Sequence, residues 1–120
     1  GFVKTILNTS LSSGFLMEFT LSFSLMFAII SVATDSRAVG ELAGLAIGTT
    51  VAMCAFVGGP LTAASMNPAR TLGPAILSFD FTSIWVYFIA PISGTILGAK
   101  TYEWIRCNVE ESSDDGHGCC

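Results

Sequence analysis

The chain has 120 residues, of which 52% are apolar and only 12% charged, and its formal net charge is −4. A water-soluble domain carries about 25% charged residues, so this balance points to a lipid environment. The five Lys and Arg are scattered, which excludes a basic surface that tracks nucleic-acid phosphates, and the net charge arises mostly from one short acidic tail.

The chain opens on Gly1 with no charged segment followed by a short apolar core, so no signal peptide is expected and the sequence reads as a fragment. Phe15 to Ala33 is then a nearly unbroken apolar run whose only charge is Glu18. At 1.5 Å per residue it nearly matches a hydrocarbon core of roughly 30 Å. A soluble helix of this length would show a polar face, and this one does not. The polar turn Thr34-Asp35-Ser36-Arg37 separates it from a second run, about residues 39–57. There Gly40, Gly44 and Gly48 repeat every four residues on one face. Either that face admits a neighbouring helix at close range, or it reflects a Gly-rich composition alone. Cys54 lies inside this run and reads as a small packing residue.

Between the second and third runs stands GGPLTAASMNPARTLGPAILS. The stretch 67–77 is helical in pattern but too short to span. A short helix at membrane depth is tolerated only when buried in protein or lining water, so a re-entrant half-helix is predicted. The third run, 84–105, carries Pro91, which membrane helices accept, and a second small-residue pair, Gly94 and Gly98. Trp85, Tyr87, Tyr102 and Trp104 lie toward its two ends, where amphipathic rings favour the interface. The fold class is therefore an all-α membrane protein, with three transmembrane helices (about 14–34, 39–57 and 84–105) and one re-entrant half-helix.

Arg37, Lys100 and Arg106 against Lys4 favour a cytosolic first loop and tail by the positive-inside rule. Residues 1–13 are then the end of an extracellular loop. The tail, 107–120, is polar and acidic and is expected to be disordered. Ser112 and Ser113 precede Asp114 and Asp115, a context some kinases prefer, although a plain solubilising tail is the favoured reading. Cys107, Cys119 and Cys120 have neither zinc-site spacing nor a disulfide framework, and no metal or cofactor is expected.

The chemistry concentrates at Asn67-Pro68-Ala69-Arg70. The Asn67 carbonyl is placed to cap the half-helix, and Pro68 suits the first helical position because its missing N–H costs nothing there. The Asn67 amide then faces outward as a neutral donor in the positive field of a helix N-terminus. Such a donor binds the oxygen of water or a polyol and repels cations and protons. An arginine at membrane depth, costly by ~2.5–3.5 kcal/mol on the mildest scale, implies a watery or paired site for Arg70. An ordinary capped helix with a surface arginine is the plainer alternative. The single His lies in the tail, so no nucleophile has a base beside it and an enzyme is not expected.

SMNPARTLGPAI resembles the second signature loop of the aquaporin, or major intrinsic protein, family, and ATDSRAVGELAGLAIG and IWVYFIAP resemble its plant nodulin-26-like subfamily. The resemblance covers about residues 15–106. It implies the second inverted repeat of a six-helix channel whose first repeat supplies a facing half-helix. It also implies a homotetramer in a lipid bilayer, in the plasma membrane, passing water and small neutral solutes without a cofactor. Residues 14–106 would form this half-channel. Glu18 matches a position whose carboxylate accepts loop N–H groups of the half-helix; a Glu snorkelling at the outer interface is the alternative.

Three of the family's four constriction positions fall on Ala55, Ala64 and Arg70, and the fourth lies in a span this chain does not contain. Two alanines beside the arginine imply a wide gap suited to glycerol, urea, or boric, silicic or arsenious acid. Family members that pass only water carry a histidine at the position of Ala55. Thr71, Ala75, Tyr87 and Phe88 match positions that sort water from glycerol channels and lie closer to the water pattern, so the two sets of markers disagree. Ile47, Val51 and Phe56 could face a pore or lipid, and periodicity assigns them no role. The competing readings are a non-conducting structural or adhesive membrane protein and a non-functional truncated product.

Overall fold

The computed structural model describes residues 5–33 and 42–106. The order is α1 (Leu11–Ala33), α2 (Ala43–Thr62), α3 (Pro68–Ser78) and α4 (Ile84–Ile105), with no strand among the described residues. α1, α2 and α4 are each long and apolar enough to cross a membrane. α3 has 11 residues, about 16 Å of helix, or half a hydrocarbon core.

Helix α1 starts where Ser10 caps it. The Ser10 Oγ accepts the Ser13 N–H at 3.3 Å, and the Ser10 carbonyl accepts the Gly14 N–H at 2.8 Å. Inside the spans, hydroxyl groups close on their own helix. Thr20 donates to the Leu16 carbonyl, Ser24 to Thr20, Thr50 to Ala46, Ser93 to Ile89 and Thr101 to Leu97, at 2.7–2.9 Å. Lipid offers no partner, so these polar groups are satisfied before they meet it.

The largest helix contact joins α1 to α4, with α2 on another side of α1. Gly94 and Gly98 make it possible. A Cβ on Gly94 would collide with the Phe19 carbonyl, and one on Gly98 would lie 2.6 Å from the Phe23 oxygen. The pair expected from sequence therefore seats α4 directly on the α1 backbone. Gly44 and Gly48 behave differently: a Cβ on either meets nothing within 4 Å among the described residues. Gly40 lies outside the described residues, as do Arg37 and the tail with Ser112 and Ser113.

Two expectations need correction. The rings of Tyr87 and Tyr102 turn into the bundle, at 2% and 8% exposure, rather than out to an interface. Tyr102 packs edge-on against Phe27 at 5.5 Å, and the Tyr87 hydroxyl donates to the Thr62 carbonyl at 3.0 Å, a partner inside the protein that outweighs a wet interface. Trp85 and Trp104 do remain exposed. Helix α2 also runs past the expected end near residue 57 to Thr62. Gly58, Gly59 and Pro60 sit in its last turns, where the carbonyls find other donors, and Gly58 gives room for Leu21.

Candidate functional site

The segment between α2 and α3, Ala63-Ala64-Ser65-Met66, reverses the chain within four residues. Ala63, Ala64 and Met66 all have left-handed φ values, of 63°, 42° and 50°. Side chains disfavour that region by roughly 1–2 kcal/mol each, so the reversal persists only because its surroundings hold it.

Those surroundings are a set of hydrogen bonds. The Ala63 N–H donates to the Gly59 carbonyl at 3.0 Å and closes α2. The Thr62 hydroxyl donates to the Gly58 carbonyl and accepts the Ala64 N–H, both at 3.3 Å. The next two N–H groups go to Glu18 on α1. Ser65 donates to Oε1 at 2.9 Å and Met66 to Oε2 at 2.8 Å, and the carboxylate is fully buried. Backbone donors that no helix satisfies thus meet the buried carboxylate that α1 carries. Glu18 points into the protein rather than to an outer interface. Below it, Leu21, Cys54, Ala64 and Met66 form an apolar cluster that seals the turn from the α1 side.

The half-helix then begins on Asn67, whose extended backbone (φ −151°, ψ 117°) precedes Pro68 at the first helical position. The Asn67 Oδ1 accepts the Ala69 N–H at 2.9 Å. This fixes the side-chain amide with its NH₂ outward, on an exposed residue, and no described residue accepts from it. Behind Asn67, the Ser65 hydroxyl donates to the Asn67 carbonyl at 2.9 Å and lies 2.6 Å from the Thr71 hydroxyl. Since Ser65 has one proton and spends it on Asn67, Thr71 is the donor in that short contact.

Arg70 is exposed, and its Nη1 donates to the Ala64 carbonyl at 2.7 Å. This places Ala64 differently from expectation. Its methyl group lies inside the apolar cluster, at 1% exposure and beside Gly58, so Ala64 offers Arg70 a carbonyl and not a side chain. The left-handed φ is the cause, because it turns the Cβ toward the core and the carbonyl toward the arginine. Ala55 sits on an open face of α2, between buried Cys54 and Phe56, which is 86% exposed. Of the sorting positions, Thr71, Ala75 and Tyr87 share the lining of one small cavity behind α3, of about 20 Å³.

The sequence reading missed Thr62, Ser65 and Asn8. The first two had a signal, since small hydroxyl residues among alanines and glycines readily bond nearby backbone. Asn8 had none. Its backbone N–H reaches the Leu61 carbonyl at 2.8 Å and its Nδ2 reaches the Pro60 carbonyl at 3.1 Å, 52 residues away in sequence.

Comparison with known proteins identifies the family. The family model described as "Major intrinsic protein" matches residues 2–102. Aquaporin NIP6-1 of Arabidopsis thaliana is 50% identical over 91% of this chain and 36% of its own length. Nodulin-26 of Glycine max is 50% identical over 88% of this chain and 39% of its own, and Aquaporin NIP1-2 of Oryza sativa subsp. japonica 53% identical over 81% and 32%. The chain thus spans about a third to two fifths of the length of these curated relatives.

Proposed function

Since the chain belongs to the major intrinsic protein family, in its nodulin-26-like branch, we propose that it supplies the second half of a passive membrane channel for water and small uncharged solutes. It is an integral membrane protein. One observation carries the reading: a donor amide held outward at the head of an 11-residue helix, with its single oxygen already spent on the cap.

At that point the helix N-terminus contributes roughly half a positive charge, which repels cations and hydronium while the NH₂ binds a solute oxygen. Arg70 adds a full positive charge, and its bond to the Ala64 carbonyl supports a fixed position rather than a mobile one. Together these groups would orient each passing oxygen toward donors and interrupt a chain of waters that could relay protons. The matching half-helix and the fourth constriction residue belong to the first repeat.

The small, open Ala55 supports passage of solutes wider than water, namely glycerol, urea or neutral hydroxylated metalloids. With Ala64 turned into the core, the width on this side rests on Ala55 rather than on two alanines. The open face at Gly44 and Gly48 is a surface that the first repeat or a second copy in a homotetramer would cover. A tail in the cytosol accords with Lys100 and Arg106 near the end of α4, and a plasma-membrane location rests on the family resemblance alone.

The test is stopped-flow swelling of vesicles carrying the complete protein, with water, glycerol and boric acid as separate gradients. Permeability equal to that of empty vesicles for all three would sink the channel reading. Asn67→Asp, which replaces the donor by an anion, is expected to depress flux or admit cations. Unchanged flux and unchanged ion exclusion would remove Asn67 from the pore.

A further inference from the structure

Asn8 precedes α1, outside every element that carries the constriction, yet it makes two bonds to the end of α2. Its backbone N–H donates to the Leu61 carbonyl and its Nδ2 to the Pro60 carbonyl. These carbonyls lie in the last turn of α2, immediately before the left-handed run that starts at Ala63. A helix end leaves its final carbonyls without partners. Here the next residues cannot serve all of them, because they turn away at once. The Gly58 and Gly59 carbonyls are taken by Thr62 and Ala63, and the Thr62 carbonyl by Tyr87. Pro60 and Leu61 would remain open without Asn8.

We propose that Asn8 is a positioning residue for the constriction, a strap that fixes where α2 ends and so where the Ala64 carbonyl meets Arg70. The link is short. Asn8 holds residues 60 and 61, residue 63 begins the reversal, and the carbonyl of residue 64 receives the Arg70 Nη1 at 2.7 Å. Glu18 holds the far side of the same reversal at Ser65 and Met66. The turn is thus clamped at both ends, by Glu18 from within the bundle and by Asn8 from an exposed position. Because the Asn8 clamp is exposed, it is the weaker one, and the segment before α1 acquires a say in how Arg70 sits.

Asn8-Thr9-Ser10 also has the form of an N-glycan acceptor triplet. Its Nδ2, the atom a glycan would occupy, is the atom given to Pro60, and the Ser10 hydroxyl caps α1. Both side chains therefore have structural employment.

This inference rests on the channel reading for its functional half. The test uses the complete protein in vesicles and two variants that remove the Nδ2 donor, Asn8→Asp, which keeps the shape, and Asn8→Ala. The readouts are the ratio of glycerol to water permeability, which is independent of the amount inserted, and amide hydrogen exchange over 61–66. Loss of one neutral bond corresponds to roughly a two- to tenfold change in local opening. Both variants are expected to speed exchange by about that factor and to shift the permeability ratio in the same direction, by about twofold or more. Exchange and ratio at wild-type values in both variants would overturn the strap. A fall in folded yield with an unchanged ratio would leave Asn8 a stability contact and refute the positioning role. A glycosidase-sensitive mobility shift in the wild type that Asn8→Asp abolishes would also refute it. Should wild-type vesicles conduct no better than empty ones, the channel reading fails separately, and exchange alone decides the strap.

Discussion

Replacing Glu18 by Gln is the sharpest probe of the turn, because it keeps the volume and removes one acceptor. The carboxylate serves two donors with two oxygens, Ser65 at 2.9 Å and Met66 at 2.8 Å. A Gln keeps one oxygen and aims an NH₂ at the other N–H. A bond of this kind to a charged group is worth about 1.5–3 kcal/mol, so the pair supplies about 3–6 kcal/mol. Three left-handed side chains in the segment cost about 3–6 kcal/mol together. The two sums are comparable, so losing one bond tips the reversal toward alternative conformations. Hydrogen exchange at Ser65 and Met66 should then accelerate by about tenfold to a hundredfold, the factor that 1.5–3 kcal/mol corresponds to. The helices should survive, since α1 and α4 are held by Gly94 and Gly98. Water permeability of vesicles carrying the complete protein should fall about tenfold, with unchanged helical circular dichroism. Wild-type exchange and wild-type flux in Glu18→Gln would show that the carboxylate is not what holds the turn.

Enlarging Ala55 to His should reduce glycerol permeability about tenfold, equivalent to ~1.4 kcal/mol in the barrier, and water permeability less. Equal losses for the two solutes would detach Ala55 from the constriction. Gly94→Val forces a side chain into the Phe19 carbonyl and should cost at least about 1–3 kcal/mol, seen as loss of monodisperse protein on size exclusion. A normal elution profile would mean that α4 does not lie on the α1 backbone. Ser22 is fully buried and its hydroxyl has no partner among the described residues. Ser22→Ala should therefore leave the unfolding midpoint in detergent unchanged or raise stability by about 1 kcal/mol, whereas a clear drop would reveal a partner for that hydroxyl.

The three spans were legible because their apolar runs have no polar face to mistake for a soluble helix, and the half-helix because Asn67 and Pro68 announce its start. For Glu18 the run of apolar residues left a buried acceptor and a snorkelling acid both open, and the family resemblance pointed to the acceptor. The end of α2 was not, since Gly58, Gly59 and Pro60 read locally as a break while the carbonyls there are served by residues near and far. Asn8 supplies two of those bonds and Tyr87 a third, and no local pattern forecasts a side-chain partner 52 or 25 residues away. The inward turn of the Ala64 methyl was equally hidden. It follows from a left-handed backbone at a residue whose type argues against one.

The seating of α4 on α1 also bears on the order of events during synthesis. The first helix described finds its closest partner in the last, so Phe19 and Phe23 leave the ribosome long before Gly94 and Gly98 exist. At 5–20 residues per second, translation of the interval takes about 4–15 s. For that time the α1 surface that receives α4 waits for it, and this contact forms only when α4 enters. A premature stop before Gly94 would leave Phe19 and Phe23 of α1 without the helix that seats on them, and a translational pause in that interval would lengthen the exposure of α1 to membrane quality control.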